Sequence, residues 1–176
     1  MIMPRGQQLL LPANPLFVLL TLIAALFANM VVNISLVGNA AWMPDFLALV
    51  LVFWCVHQPR LVGIGVAFFF GVATDVHQSS LLGQHALSYA LLSYCAFTMH
   101  RRLLWFPIKE QMVQIIPFFL LAEATGWTIR LTTGDDFPGW SLLLSPALDT
   151  LMWPVANFIL LAPQRRAHNP DANRPI

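Results

Sequence analysis

Charged side chains inside apolar stretches are the residues of this chain that could do chemistry, because a lipid environment makes each of them costly. Glu123 and Arg130 lie seven residues apart in one such stretch. A helix would place them on one face, about 10 Å apart along its axis. Asp149, in the next apolar stretch, is expected at the depth of Glu123. This predicted charged cluster can be a mutually neutralised structural group, a proton relay or a ligand cavity, and the sequence leaves all three open.

Signatures of metal binding and of enzyme catalysis are not recognisable in the sequence. His77 and His85 have no close second pair of metal ligands, and the spacing HExxH does not occur. Ser79, Ser80 and Ser88 do not stand in a GxSxG setting, and the chain has no glycine-rich phosphate loop. The sequence therefore predicts a protein that is not an enzyme and uses no cofactor or metal.

A row of small residues precedes one further acidic residue. Gly63, Ala67, Gly71 and Asp75 follow at intervals of four, which puts them on one helical face. Helices in lipid associate through such small residues, because apolar burial alone gives them little preference for a partner. We therefore predict a face for helix packing or partner contact. Asp75 is either a helix-end residue wetted at the outer interface or a buried tie to a neighbouring helix or partner protein.

The elements that must position these residues follow from composition. The chain has 176 residues, of which 58% are hydrophobic and 10% are charged, and its mean hydropathy is +0.70. Soluble domains carry about 25% charged residues, so the composition is that of a membrane protein. The net charge is +1, and the charges are scattered between apolar runs, so we expect no nucleic-acid partner.

The hydropathy pattern predicts an all-α, polytopic fold with six transmembrane helices. We expect a leader over residues 1–12, a six-helix transmembrane domain over 13–162 and a polar tail over 163–176. The second and third spans are short, and a re-entrant hairpin is the alternative. That alternative would put Arg60 deep in the bilayer, at a cost of several kcal/mol, so two spans joined by a turn at Arg60 are preferred. The expected spans are residues 15–37, 45–57, 60–76, 84–100, 112–131 and 141–161.

Basic residues orient these spans, since cytoplasmic loops are enriched in Lys and Arg. Eight of the nine lie at one set of helix ends, and only Arg130 lies toward the other. Both termini and the turn at Arg60 are therefore predicted to be cytoplasmic, with Asp45, Asp75, Asp135 and Asp136 toward the outside. The eight are Arg5, Arg60, Arg101, Arg102, Lys109, Arg165, Arg166 and Arg174.

Several short motifs, in this order and with these spans, resemble the rod shape-determining protein family MreD. The charged cluster Glu123, Arg130 and Asp149 has no counterpart in the pattern on which the resemblance rests. The motifs are Pro44-Asp45-Phe46, His57-Gln58-Pro59-Arg60, Gly63-x-Gly65, Gly71-x-x-x-Asp75, Leu82-Gly83, a basic cytoplasmic turn and Trp153-Pro154.

The resemblance implies a non-catalytic protein of the bacterial inner membrane that belongs to the cell-elongation machinery. It implies contact with membrane lipid and binding to MreC. It also implies regulation, together with MreB, of the glycosyltransferase RodA and its partner transpeptidase. The implied fold is similar to the six-helix substrate-binding subunits of energy-coupling-factor vitamin transporters.

Two classes of function therefore stand. A scaffold or regulatory subunit is favoured by the small-residue face and by the lack of a reactive set. A small-molecule (vitamin-like) binding subunit of a transporter is favoured by the charged cluster.

Overall fold

The computed structural model describes residues 13–35, 43–134 and 139–164, and it confirms an all-helical fold with six α-helices and no strand within those ranges. Short 3₁₀ segments cover Gly139–Leu143 and Ala162–Gln164. The predicted leader, the acidic pair Asp135 and Asp136, and the basic residues Arg5, Arg165, Arg166 and Arg174 lie outside the described residues. The helices are α1 Pro15–Ser35, α2 Phe46–His57, α3 Ile64–Gln78, α4 Gln84–Trp105, α5 Ile108–Thr132 and α6 Leu144–Leu161.

The short helix α2 forms the centre of the bundle. Nine of its twelve residues are buried, including Phe53 and Trp54. A helix that is apolar on every side has no polar face to turn toward water, so it is covered by other helices. α1, α4 and α6 pack around α2, while α3 packs on α4, α4 on α5, and α5 on α6.

Buried tryptophans connect the helices at the centre, because an indole N–H that leaves water needs an acceptor. The Trp54 indole on α2 donates to the Thr21 hydroxyl on α1 at 2.9 Å. The Trp153 indole on α6 donates to the Gln111 side-chain oxygen on α5 at 3.1 Å. Phe53 lies beside both indoles, with ring centroids 5.0 Å and 6.1 Å away. These hydrogen bonds therefore fix the rotation of α1 against α2 and of α6 against α5.

The helix ends follow proline and glycine, but α3, α4 and α5 each have one end four or five residues away from the predicted bound. Pro59 and Arg60 form the turn between α2 and α3, and Gly83 precedes α4 at φ +104°, a backbone region that favours glycine. We expected α4 to end near residue 100 and an interfacial turn to cover residues 105–111. Instead α4 continues to Trp105, and α5 begins directly after Pro107. Arginines in a last helical turn are favourable to the helix dipole, so they do not end the helix.

Within the described ranges, three stretches are long and apolar enough to cross a membrane, namely Pro15–Val32, Ile108–Thr132 and Gly139–Gln164, and α2 is a shorter apolar helix. The outer surface of the bundle carries large apolar side chains such as Phe69 and Val113, which are 74% and 68% exposed. A surface of this kind is covered by lipid or by partner helices, since a soluble protein rarely leaves large apolar patches open. The chain is therefore a membrane-embedded helical protein.

Candidate functional site

The predicted small-residue face lies against α4 over only part of its length. A Cβ atom on Gly71 would stand 2.6 Å from the Ala86 nitrogen and 2.7 Å from the His85 carbonyl oxygen, both of them backbone atoms of α4. Ala67 is fully buried one turn away. Gly63 is different, because it caps the start of α3 and no described atom lies within 4 Å of its Cβ position. The internal packing face therefore runs from Ala67 to Asp75, and for Gly63 the prediction of a partner contact stays open.

Asp75 is a buried tie to the next helix, the second of the two alternatives. One of its carboxylate oxygens accepts from the Gly83 N–H at 2.8 Å and from the Ala86 N–H at 3.3 Å. The other accepts from the His85 N–H at 2.8 Å and from the Ser80 hydroxyl at 3.0 Å. The cap residue Gly83 has no side chain, so the carboxylate of α3 caps the N-terminus of α4, where the helix dipole favours a negative charge.

Asp75, His85 and Ser80 together resemble the members of a hydrolytic triad, but their geometry does not allow one. The His85 Nδ1 atom lies 2.8 Å from Asp75 and 3.4 Å from the Ser80 hydroxyl. A triad uses one imidazole nitrogen for the acid and the other for the nucleophile, so that the ring can relay a proton. Here both neighbours share one nitrogen, and the group holds two helices together.

Asp45 connects four helices. Its carboxylate accepts from the Asn29 amide of α1 at 2.6 Å, from the Tyr89 hydroxyl of α4 at 2.6 Å and from the Ala48 N–H in the first turn of α2 at 3.0 Å. Its own backbone N–H donates to Asp149 of α6 at 2.9 Å. These groups hydrogen-bond with one another in a partly buried position. Asp45, Asn29, Tyr89 and Asp149 are called the Asp45 cluster below.

The predicted charged cluster comes together around a cavity, without a direct ion pair. Glu123 accepts a hydrogen bond from the Ser145 hydroxyl at 3.1 Å. The guanidinium of Arg130 lies 4.8 Å from the centre of the Trp127 ring, a cation–π contact. Within the described part of the chain the one ion pair closer than 4.0 Å is that of His85 and Asp75. Direct neutralisation of Glu123 by Arg130 is therefore not what the described structure contains.

This cavity has a volume of about 130 Å³ and lies between α2, α4, α5 and α6, and residues of α1 and α3 also contribute to its wall. Its polar lining combines the Asp45 cluster with Glu123, Arg130 and side chains of α4. Arg60 is not part of it, because Arg60 is exposed in the turn between α2 and α3. The charged and amide-bearing lining residues of the cavity include Asp45, Gln84, Glu123, Arg130 and Asp149.

Sequence reasoning missed the roles of Asp45, Tyr89 and Gln84. Pro44-Asp45 was recognised as a helix start, and the acid was placed at the outer ends of the spans. Asp149 was placed near Glu123 by depth alone. The predicted spans put Asp45 at the outer end of its helix and Asp149 eight residues inside another, about 12 Å deeper, so depth alone does not bring these two acids together. Tyr89 and Gln84 had no sequence signal beyond their polarity in an apolar region.

The sequence profile described as "rod shape-determining protein MreD" matches residues 11–162. The chain belongs to the MreD family. One curated relative, Rod shape-determining protein MreD of Haemophilus influenzae, is 29% identical over 134 residues, which cover 74% of this chain and 80% of the relative. No solved structure matches the chain. The resemblance to MreD inferred from the short motifs is therefore confirmed, and membership identifies a protein that determines rod shape.

Proposed function

We propose that this MreD-family chain is a non-catalytic membrane subunit of the bacterial cell-elongation machinery. In that role it binds MreC and helps MreB regulate lateral peptidoglycan synthesis by RodA and its partner transpeptidase. The observation that carries the proposal is the family match across residues 11–162, which includes every described helix. Nearly all of the fold is thus common to proteins that determine rod shape.

The polar contacts support a structural role for the buried acids. Both Asp45 and Asp75 accept several hydrogen bonds from neighbouring elements, so their lone pairs serve to join helices. Hydrogen bonds of this kind stabilise the charged form of a carboxylate and so weaken it as a base. Work on a partner is then done by the outer surface of the bundle.

The partner contact is proposed on the outward side of α3. Ala67 is buried, and Gly71 and Asp75 contact α4, so these three residues lie on the inner side of α3. Gly63 has open space beside its Cα, and the adjacent Ile64 is exposed. An open glycine next to a large apolar side chain allows a transmembrane helix, such as that of the bitopic protein MreC, to approach closely.

If MreC binding is the function, loss of the protein turns rod-shaped cells round. Gly63→Leu is expected to reduce co-purification of MreC from mild detergent severalfold, because it fills the proposed contact. Gly65→Leu, at another glycine of the same region with open space around it and no positive φ, is the matched control for adding bulk. Cell shape, MreC recovery and the amount of the protein are measured together. Normal MreC recovery with Gly63→Leu at normal protein levels would contradict this contact.

The proposed topology has six spans in the inner membrane, with cytoplasmic termini and a fold like the substrate-binding subunits of energy-coupling-factor transporters. The leader 1–12 and the tail 163–176 are then both cytoplasmic. The proposal rests on the distribution of Lys and Arg. Arg60, Arg101, Arg102 and Lys109 occupy the ends of α2, α4 and α5 that this orientation assigns to the cytoplasm.

Cysteine labelling tests this topology in a variant without Cys55 and Cys95, both of which are free thiols. A single cysteine at Asp135 is expected to react with a membrane-impermeant maleimide in intact cells. A single cysteine at Ala172 is expected to react only after lysis. The reverse pattern would show that the protein is oriented the other way.

The alternative function, a small-molecule binding subunit of a transporter, is favoured by the polar cavity. The volume of the cavity argues against a vitamin, because about 130 Å³ is well below the roughly 300–1,000 Å³ of sites for drug-sized ligands. Persistence of rod shape without the protein, together with failed uptake of a vitamin, would replace the proposed function with this alternative.

A further inference from the structure

The cavity between α2, α4, α5 and α6 carries opposite charges at two depths. Asp45, Glu123 and Asp149 supply three carboxylates, and Arg130 supplies the one guanidinium among its lining residues. Arg130 lies near the end of α5, and Glu123 lies seven residues deeper, about 10 Å along the helix. The negative charge is therefore concentrated inside, and the positive charge stands toward the end of the helix.

Part of this lining has hydrogen-bonding capacity that the described protein does not use. Glu123 accepts from the Ser145 hydroxyl and from the Trp127 side chain, and Asp149 accepts from the Asp45 N–H through Oδ1. A carboxylate has about four lone-pair sites, so both acids keep capacity for further hydrogen bonds. Acceptors are thus available on two of the three acids.

Gln84 gives an independent indication of a ligand. The residue is only 4% exposed, and its side-chain amide has no hydrogen-bond partner among the described residues. Its Nε2 atom lies 3.8 Å from the Cβ position of Gly126, another residue of the cavity wall. The Gln84 amide is not one of the fully enclosed polar atoms, so it keeps contact with the cavity, where water or a ligand can pair with it.

We propose that this cavity binds a small zwitterion whose ammonium group contacts Glu123 and Asp149 and whose anionic group contacts Arg130. A phosphoethanolamine group, free or as the headgroup of a phospholipid, has this chemistry. The ammonium donates to these two carboxylates, and the Gln84 amide pairs with a polar atom between the two charges. This inference does not depend on the proposed binding of MreC.

Size and ligand chemistry separate this ligand from simpler occupants. The cavity volume of about 130 Å³ is roughly four times the ~30 Å³ that a water molecule occupies in the liquid, so it admits a group of several heavy atoms. Within the described residues, no set of three or more His, Cys, Asp or Glu side chains is arranged to hold a metal ion. An ammonium ion alone would leave Arg130 uncompensated, whereas a zwitterion pairs with both charges.

Calorimetric titration of the full chain in mild detergent tests the proposal. The probes are O-phosphoethanolamine, dihexanoyl phosphatidylethanolamine and dihexanoyl phosphatidylcholine, whose quaternary ammonium has no N–H to donate. We expect the choline lipid to bind about tenfold more weakly than the ethanolamine lipid. Glu123→Gln and Arg130→Gln are each expected to weaken binding of the ethanolamine probes about tenfold, the effect of losing one charge-assisted hydrogen bond.

Matched controls use the same changes outside the cavity. Glu110→Gln and Arg102→Gln replace exposed residues and should leave binding within about twofold of wild type. Gly126→Leu fills the cavity without changing its charge and should abolish binding, whereas Gly65→Leu, at an open position, should not. The Gly126→Leu test stands even if Glu123→Gln fails to fold.

Each outcome has a defined meaning. Binding of the lipid alone identifies a phospholipid headgroup as the source, and binding of soluble phosphoethanolamine alone identifies a free zwitterion. Binding of both shows that the headgroup is sufficient. The proposal is overturned if no ethanolamine probe binds, if the choline lipid binds equally well, or if binding survives in Gly126→Leu.

Discussion

Gly71→Leu is expected to separate α3 from α4 and to produce one of the two largest losses of stability among the substitutions considered for this chain. Even the Cβ atom would stand 2.6 Å from the backbone nitrogen of Ala86. Backbone atoms cannot move aside as a flexible side chain does, so the helices must part. Overpacking of this kind costs on the order of 1–3 kcal/mol, or more where backbones are displaced. The melting temperature in mild detergent should fall by several degrees.

Gly65→Leu is the matched control on the same helix. No described atom lies within 4 Å of its Cβ position. Both changes replace a helical glycine with leucine and gain about 0.8 kcal/mol of helix propensity, so the difference between them isolates the contact with α4. We expect the Gly65 variant to melt at or above the wild-type temperature. Equal losses at the two positions would remove the close-packing argument.

Asp75→Ala should be the other strongly destabilising change. The carboxylate accepts from three backbone N–H groups of residues 83, 85 and 86 and from the side chains of Ser80 and His85. Alanine would leave these donors without an acceptor in a buried place, where each unsatisfied group is costly. Removing one partner of a buried charged group typically costs about 3–5 kcal/mol. The measurement is again the melting temperature, together with the amount of folded protein recovered from membranes.

Two further variants identify the source of that loss. His85→Ala removes one side-chain contact and keeps the backbone cap, so its effect should be much smaller than that of Asp75→Ala. Glu110→Ala removes an exposed acid and should change stability little. If His85→Ala were as damaging as Asp75→Ala, the ion pair rather than the helix cap would be the main contribution of Asp75.

These stability effects bear on any experiment on cell shape. A variant at Gly71 or Asp75 that rounds cells can do so through misfolding, because both residues lie in the contact between α3 and α4. Gly63→Leu does not have this ambiguity, since the space beside Gly63 is open. Shape and MreC recovery should therefore be compared at equal amounts of folded protein.

The sequence by itself determined the class of fold and the family. Six apolar stretches, with Pro59, Gly83 and Pro107 in three of the five connections between them, predict six helices in the observed order. This works because helix breakers and hydropathy act locally along the chain. Short motifs along the chain were enough to indicate MreD. The four-residue spacing also identified Gly71 as a close contact, since helical periodicity alone decides which residues share a face.

Only the tertiary structure decided which helices meet. Asp45 and Asp149 are joined by a hydrogen bond although 104 residues separate them. The partners of Asp45 come from α1, α4 and α6, and no periodicity within one helix reveals the rotation of another. The same limit explains why Gly63 was grouped with Gly71, because a shared face does not tell where the neighbouring helix ends. Depth put Glu123, Arg130 and Asp149 in one region of the sequence model, but depth could not show that they line a cavity instead of pairing directly.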